Sequence, residues 1–160
     1  MATHRLDSGL WKASARRAWS GPLLLDTHVW VWLLEGDLER VSHAAASLIR
    51  RAAASSALLV SDISFWEVAM KAAQGKLVFS MDAAFWLRRA ERAPGIIPVP
   101  VSREVLLLST RLPGHPHGDP ADRMLLSTAQ LHRAPLVTVD EELITYAARQ
   151  PGIPVCDAGR

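Results

Sequence analysis

The sequence predicts an α/β fold with a mainly parallel central sheet. Short runs of branched apolar residues alternate with stretches of helical period, and Gly, Pro or Asp closes most of the runs. Strand and helix alternating in this way favour parallel strands covered by helices. No internal repeat, low-complexity linker or second domain interrupts the pattern.

Taken in order, "LLLD" (23–26) reads as the first strand, "ALLVSD" (57–62) as the second, "GIIPVPV" (95–101) as the third and "APLVTVD" (134–140) as the fourth, with "IPVC" as an edge strand near the end. Helices are expected over 41–54, over 64–74 up to Gly75, over 81–92 ahead of Pro94, over 103–111 and over 120–132. A last helix follows Asp140 through "EELITYAARQ".

At 160 residues, 49% of them hydrophobic, the chain is long enough for one domain with a full core. No apolar run reaches the roughly 18 residues of a membrane span, and no continuous apolar leader opens the chain, so the expected location is the cytoplasm, with no membrane partner. A single cysteine, Cys156, rules out an internal disulfide framework and a cysteine-based metal site. Any metal is then held by oxygen or histidine.

Charge is unevenly placed. Residues 1–20 carry Arg5, Lys12, Arg16 and Arg17 against Asp7, a net of +3 within a chain of +2, so residues 21–160 come to about −1. The expected organisation is therefore a basic, flexible N-terminal extension over 1–20 and a nearly neutral domain over 21–160. The extension suits three roles: an arm for phosphates, an amphipathic helix through Trp11 and Trp19, or a start-site artefact. The clusters Arg50/Arg51 and Arg88/Arg89/Arg92 read first as solvated helix faces.

In a parallel α/β sheet the ligand sits outside the carboxyl ends of the strands, and the acids fall there. Asp26 closes the first strand, Asp140 closes "LVTVD", Glu67 lies early in the helix after "LLVS", and "GDPADR" brings Asp119 and Asp122 to the start of another helix. Each has a plain structural reading. Asp26 and Asp140 make good N-caps, and Asp119 with Pro120 has the form of a cap with proline at the first helical position. Glu67 stands four residues before Lys71, the favourable order for a helical ion pair. Capping does not explain why acids from four segments should gather, which is costly unless a cation neutralises them. Hard oxygen donors fit Mg²⁺ or Mn²⁺. Carboxylates and such an ion, without a Gly-rich phosphate loop, point to phosphodiester hydrolysis by an activated water. His115 and His117 have a spacing that suits zinc but lack a further soft ligand; they are expected to shape the mouth of the site or to contact phosphate.

Residues from about 22 to 156 resemble the PIN domain and, within it, the VapC-type toxins of bacterial toxin-antitoxin pairs. The stretches that carry the resemblance are "LLLDTHVWVW", "ISFWEVAMKAAQGKL" and "HGDPADRMLLSTAQLHRAPLVTVDEEL", in the family's order. The resemblance implies a three-layer α/β/α fold, a metal-dependent endoribonuclease site using Mg²⁺ or Mn²⁺, a homodimer, and a cognate antitoxin whose C-terminal segment fills the toxin groove and through which alone operator DNA is met. Carried over, Asp26 matches the first acid, Glu67 the acid of the "WE" helix and Asp140 the "T-x-D" acid. Asp122 aligns with the acid that opens the next-to-last helix, and Asp119 is the extra acid of "DP-x-DR", assisting or capping. Thr27 and Thr138 match hydroxyl positions that orient carboxylates or a water. The basic extension has no counterpart in that pattern.

Two other readings stay open: a metal nuclease acting on DNA, and a non-catalytic module that acts on operator DNA within a toxin-antitoxin complex. A dehalogenase-like phosphatase is disfavoured, because His28 stands two residues after Asp26 where that chemistry wants a second Asp. Trp30, Trp32, Phe65 and Trp66 read first as core; any that is exposed beside the acids would suit an antitoxin helix or an unpaired base.

Overall fold

The structure is a computed structural model that describes Trp11, residues 13–114, Pro116 and residues 118–159. Five parallel strands, β1 (Leu23–Leu25), β2 (Leu58–Ser61), β3 (Ile96–Val99), β4 (Leu136–Thr138) and β5 (Val155–Asp157), form one sheet in the order β3-β2-β1-β4-β5. The helices are α1 (Ala13–Ala18), α2 (Thr27–Glu35), α3 (His43–Ala54), α4 (Asp62–Ala73), α5 (Ala83–Ala90), α6 (Arg103–Ser109), α7 (Pro120–His132) and α8 (Glu141–Ala148). The expected α/β class and parallel sheet are what the chain forms.

Alternation along β1 builds the layers. Leu23 and Leu25 face a core shared with Trp30, Leu48, Ile49 and Trp86, whereas Leu24 faces a second core with Leu125, Leu126, Leu136 and Leu143. A strand buried on both faces needs helices on both sides. The result is three layers. Pro98 explains the place of β3: it offers no N–H to a further strand, and β3 lies at the sheet's edge, paired with β2 alone.

Several helices begin later or end earlier than the period suggests, because their caps are side chains. Ser42 accepts from Ala45 N at 3.2 Å and opens α3 two residues after Val41; Asp82 accepts from Phe85 N at 3.1 Å and opens α5. The helix over 27–35, readable beforehand only from the capping role of Asp26, is fully formed and stops at Gly36.

The described part of the basic extension packs on the body. Trp11 is buried, its backbone N–H donates to the Val155 carbonyl at 2.9 Å, and its ring meets Trp19 edge-on at 4.6 Å. The expectation of a flexible arm over residues 1–10, like the charges of Arg5 and Lys12, lies outside the described residues. Among the described residues no helix is long and apolar enough to cross a membrane.

Candidate active site at the carboxyl edge of the sheet

The strand order reverses at β1: β2 and β3 lie to one side, β4 and β5 to the other. At such a switch point the helices after neighbouring strands diverge and leave a crevice at the strands' carboxyl ends. Asp26 follows β1 at that place. Its N–H donates to the Val137 carbonyl at 3.0 Å, which continues the β1–β4 ladder, and its carboxylate caps α2 through the Thr27 N–H at 2.6 Å. Capping and site placement are one geometry: the chain must turn where the crevice opens.

Asp26 is 6% exposed. Burial pushes its pKa above the ordinary 3.8; the Thr138 hydroxyl, the field of His28 and the Thr27 N–H pull it back, and the charge of Glu67 adds to the rise. Among the described residues no cationic side chain forms an ion pair with it. An ionised Asp26 therefore lacks a neutralising partner at contact range.

Glu67, also buried, approaches from α4. One oxygen lies 2.8 Å from the Thr27 hydroxyl, and the other lies 3.4 Å from Lys71 Nζ. Thr27 Oγ1 is also 2.8 Å from Ser64 Oγ. A hydroxyl has one proton and a carboxylate only accepts, so Thr27 donates to Glu67 and accepts from Ser64. Ser64 escaped the sequence reading. Its position three residues before Glu67, on the same helical face, was the available signal.

Asp140 caps α8, accepting from Glu142 N at 2.8 Å and Leu143 N at 3.1 Å. Its own N–H donates to Thr138 Oγ1 at 3.0 Å, and Thr138 in turn donates to Asp26 Oδ2 at 2.5 Å. Asp26, Thr27, Glu67, Thr138 and Asp140 thus form one connected network.

The last two acids come from α7. Asp119, exposed, caps that helix by accepting from Ala121 N at 2.7 Å, with Pro120 in the first turn; half-buried Asp122 stands in the same turn. Because α7 runs back toward the start of β4, its N-terminus returns to the carboxyl edge of the sheet, and α4 packs against both α2 and α7. The helices that carry Asp26, Glu67 and Asp122 are consecutive neighbours. His115 and His117, expected at the mouth, lie outside the described residues.

A divalent ion fits the donor chemistry. Asp26, Glu67, Asp119, Asp122 and Asp140 supply only hard oxygens, and among the described residues the buried Asp26 carboxylate forms no ion pair. Among the described residues no three His, Cys, Asp or Glu close into a ready-made cage. Mg²⁺ asks for less, binding commonly through one or two carboxylates with water and substrate oxygens completing the shell.

Of the four aromatics considered from sequence, Trp30 is wholly buried and Trp32 and Phe65 pack against the same core, as the plain reading expects. Trp66 differs: 55% of it is exposed, next to Glu67. Arg50, Arg51, Arg88, Arg89 and Arg92 are solvated.

A family model described as the PIN domain matches residues 23–149. Ribonuclease VapC22 of Mycobacterium tuberculosis is 33% identical over 129 residues, covering 81% of this chain and 95% of that protein. Among solved structures, VapBC2 from Rickettsia felis bound to a DNA fragment from their promoter aligns with a TM-score of 0.59 at 15% identity, over 84% of this chain and 97% of that one. A toxin-antitoxin complex from Klebsiella pneumoniae aligns with a TM-score of 0.50 at 21% identity, over 75% and 88%. At those identities the structural likeness speaks for the fold.

Proposed function

The chain belongs to the PIN-domain family, among its VapC-type members, and from that premise we propose that it is a metal-dependent endoribonuclease toxin, held inactive by a cognate antitoxin. The observation that carries this reading is the buried Asp26 carboxylate at the sheet's switch point, joined through Thr27 and Thr138 to Glu67 and Asp140, with no ion pair among the described residues. The name of the Mycobacterium tuberculosis relative supports RNA as the substrate.

Asp26, with Asp122, Asp119 and Asp140 around it and Glu67 behind, would hold Mg²⁺ or Mn²⁺. Bound there, the ion supplies positive charge that lowers the pKa of the attacking water and offsets charge growing on the phosphate and the departing oxygen. The chain's own residues prepare that place. Thr138 and the Thr27 N–H fix both oxygens of Asp26 in orientation, so little reorganisation accompanies binding. The Thr27 hydroxyl holds Glu67 toward the same crevice, and Asp140, with its capping oxygen committed to α8, keeps its other oxygen for water or ion.

Assembly as a homodimer, inhibition by an antitoxin segment in the toxin groove, operator DNA contact through that antitoxin, and action in the cytoplasm belong to the same proposal. The Klebsiella pneumoniae structure, described as a toxin-antitoxin complex, supports the partner class. The test is cleavage of matched single-stranded RNA and DNA by antitoxin-free protein, with Mg²⁺ and then with EDTA. Chelator-sensitive cutting of RNA alone is expected. Cutting of DNA alone would transfer the activity to the other nucleic acid, and no cutting of either would leave a binding module.

A further inference from the structure

Ser64, Glu67 and Lys71 form one stripe on α4 that runs from a buried hydroxyl through a buried carboxylate to a half-exposed ammonium. Each Glu67 oxygen is engaged, one by Thr27 at 2.8 Å and the other by Lys71 at 3.4 Å. An ordinary pair at this spacing joins two solvated side chains and is free to open. Here the carboxylate is fixed by a second bond in the site network, so the ammonium is tethered beside the crevice.

The backbone beneath Lys71 is fixed as well. Its carbonyl accepts from Lys76 N at 2.9 Å, and the Ala72 carbonyl accepts from Gly75 N at 3.0 Å, the two bonds that close a helix with a left-handed residue after its cap. Gly75, with φ of +68°, supplies that conformation. The run "KAAQGK" thus sets a rigid helix end under a cation whose head is held by Glu67.

We propose that Lys71 is a substrate contact of this site, binding a phosphate of the nucleic-acid backbone beside the cleaved bond. The assignment rests on the nuclease reading above. Its logic is charge placement. Asp26 and the acids of α7 repel a polyanion, and the nearly neutral domain offers no general attraction, so a tethered cation one helical turn beyond Glu67 meets the backbone as it enters. The ammonium gives up one carboxylate contact and keeps its place through the rigid helix end.

The test uses the full chain, freed of any antitoxin, with Lys71→Met, which keeps the stem, and Lys71→Arg, which keeps the charge. Binding of a fluorescent single-stranded RNA is followed by anisotropy in EDTA at several salt concentrations, and Mg²⁺ binding without RNA is followed by calorimetry. Lys71→Met is expected to weaken RNA binding several-fold and to reduce the log–log salt slope by about 0.7, the share of one phosphate contact on a single strand. Lys71→Arg should stay near wild type, and Mg²⁺ binding should survive in Lys71→Met. Wild-type affinity and slope in Lys71→Met overturn the contact. Loss of Mg²⁺ binding in a folded Lys71→Met protein overturns it as well, because Lys71 would then serve the ion site through Glu67. In both cases wild-type cleavage still stands, whereas a wild type that neither binds nor cuts RNA removes the nuclease reading and this contact together.

Discussion

Thr138 on β4 donates its hydroxyl proton to Asp26 at 2.5 Å while accepting the Asp140 N–H at 3.0 Å, so a single side chain couples the acid that ends β1 to the acid that opens α8. The two acids are held in fixed relation across the switch point of the sheet. Replacing Thr138 by Val keeps the shape and removes both bonds. It is expected to cost about 1–3 kcal/mol, because Asp26 loses a donor and the Asp140 N–H loses its acceptor. It should also raise the Asp26 pKa further, since the lost bond favours the ionised form. Thr138→Ser should recover most of both, as read by denaturant melts and by carboxyl-detected NMR titration.

Asp26 itself gives a pH signature. Its folded pKa lies above the unfolded value near 3.8, so over the interval between them the native state holds a proton that the unfolded chain has released. Stability without metal therefore falls as pH rises through that interval and stays lower at neutral pH. Asp26→Asn carries no titrating group and should lose this fall, melting at or above wild type at pH 7 and showing no such gain at pH 3. Melts across pH in EDTA check the sign. A variant that melts well below wild type at pH 7 would make Asp26 chiefly a structural cap.

Much of this was legible in the sequence. The strands at 23–25 and 136–138 and the helix at 120–132 follow from apolar runs ended by Asp and from Asp-Pro capping, which are local chemistry. Asp26 and Asp140 stand out for the same reason, and Glu67 for its place early in the helix after "LLVS". The resemblance marked Thr138 as a hydroxyl that orients carboxylates, but which acids it joins depends on β1 and β4 being neighbours; the contact of Ser64 with Thr27, which depends on α2 meeting α4, was not legible. Trp11 was equally hidden: its burial comes from an N–H bond to β5, an element 144 residues away. Local period foretells elements, whereas contacts of large sequence separation need the sheet order.

Asp119 allows capping and metal binding to be separated. Asp119→Ser keeps an oxygen for the Ala121 N–H and removes the carboxylate; Asp119→Ala removes both. The alanine variant is expected to lose about 1 kcal/mol and the serine variant much less. If Asp119 also holds the ion, Mg²⁺ affinity by calorimetry should drop in both to the same extent, whereas a cap alone leaves the affinity of the serine variant unchanged.

Cys156 lies fully buried in β5, and burial pushes its thiol up to about 11, with Asp157 adding to the rise and Arg16 opposing it. The native protein is expected to resist a thiol-directed reagent at pH 8 and to react on unfolding. The unfolded thiol ionises near 9, so stability should fall by about 2–3 kcal/mol as pH rises from 9 to 11. Cys156→Ala, compared with wild type in melts over that range, should show a shallower decline.

The measurement that bears most directly on the site is calorimetric titration of Mg²⁺ into antitoxin-free protein and into its Asp26→Asn variant at neutral pH. Saturable binding to the wild type, lost in a variant that remains folded, is the predicted result and makes Asp26 the centre of a divalent-ion site. Equal heats from the two proteins, or none from either, would contradict the account and reduce Asp26 to the cap of α2.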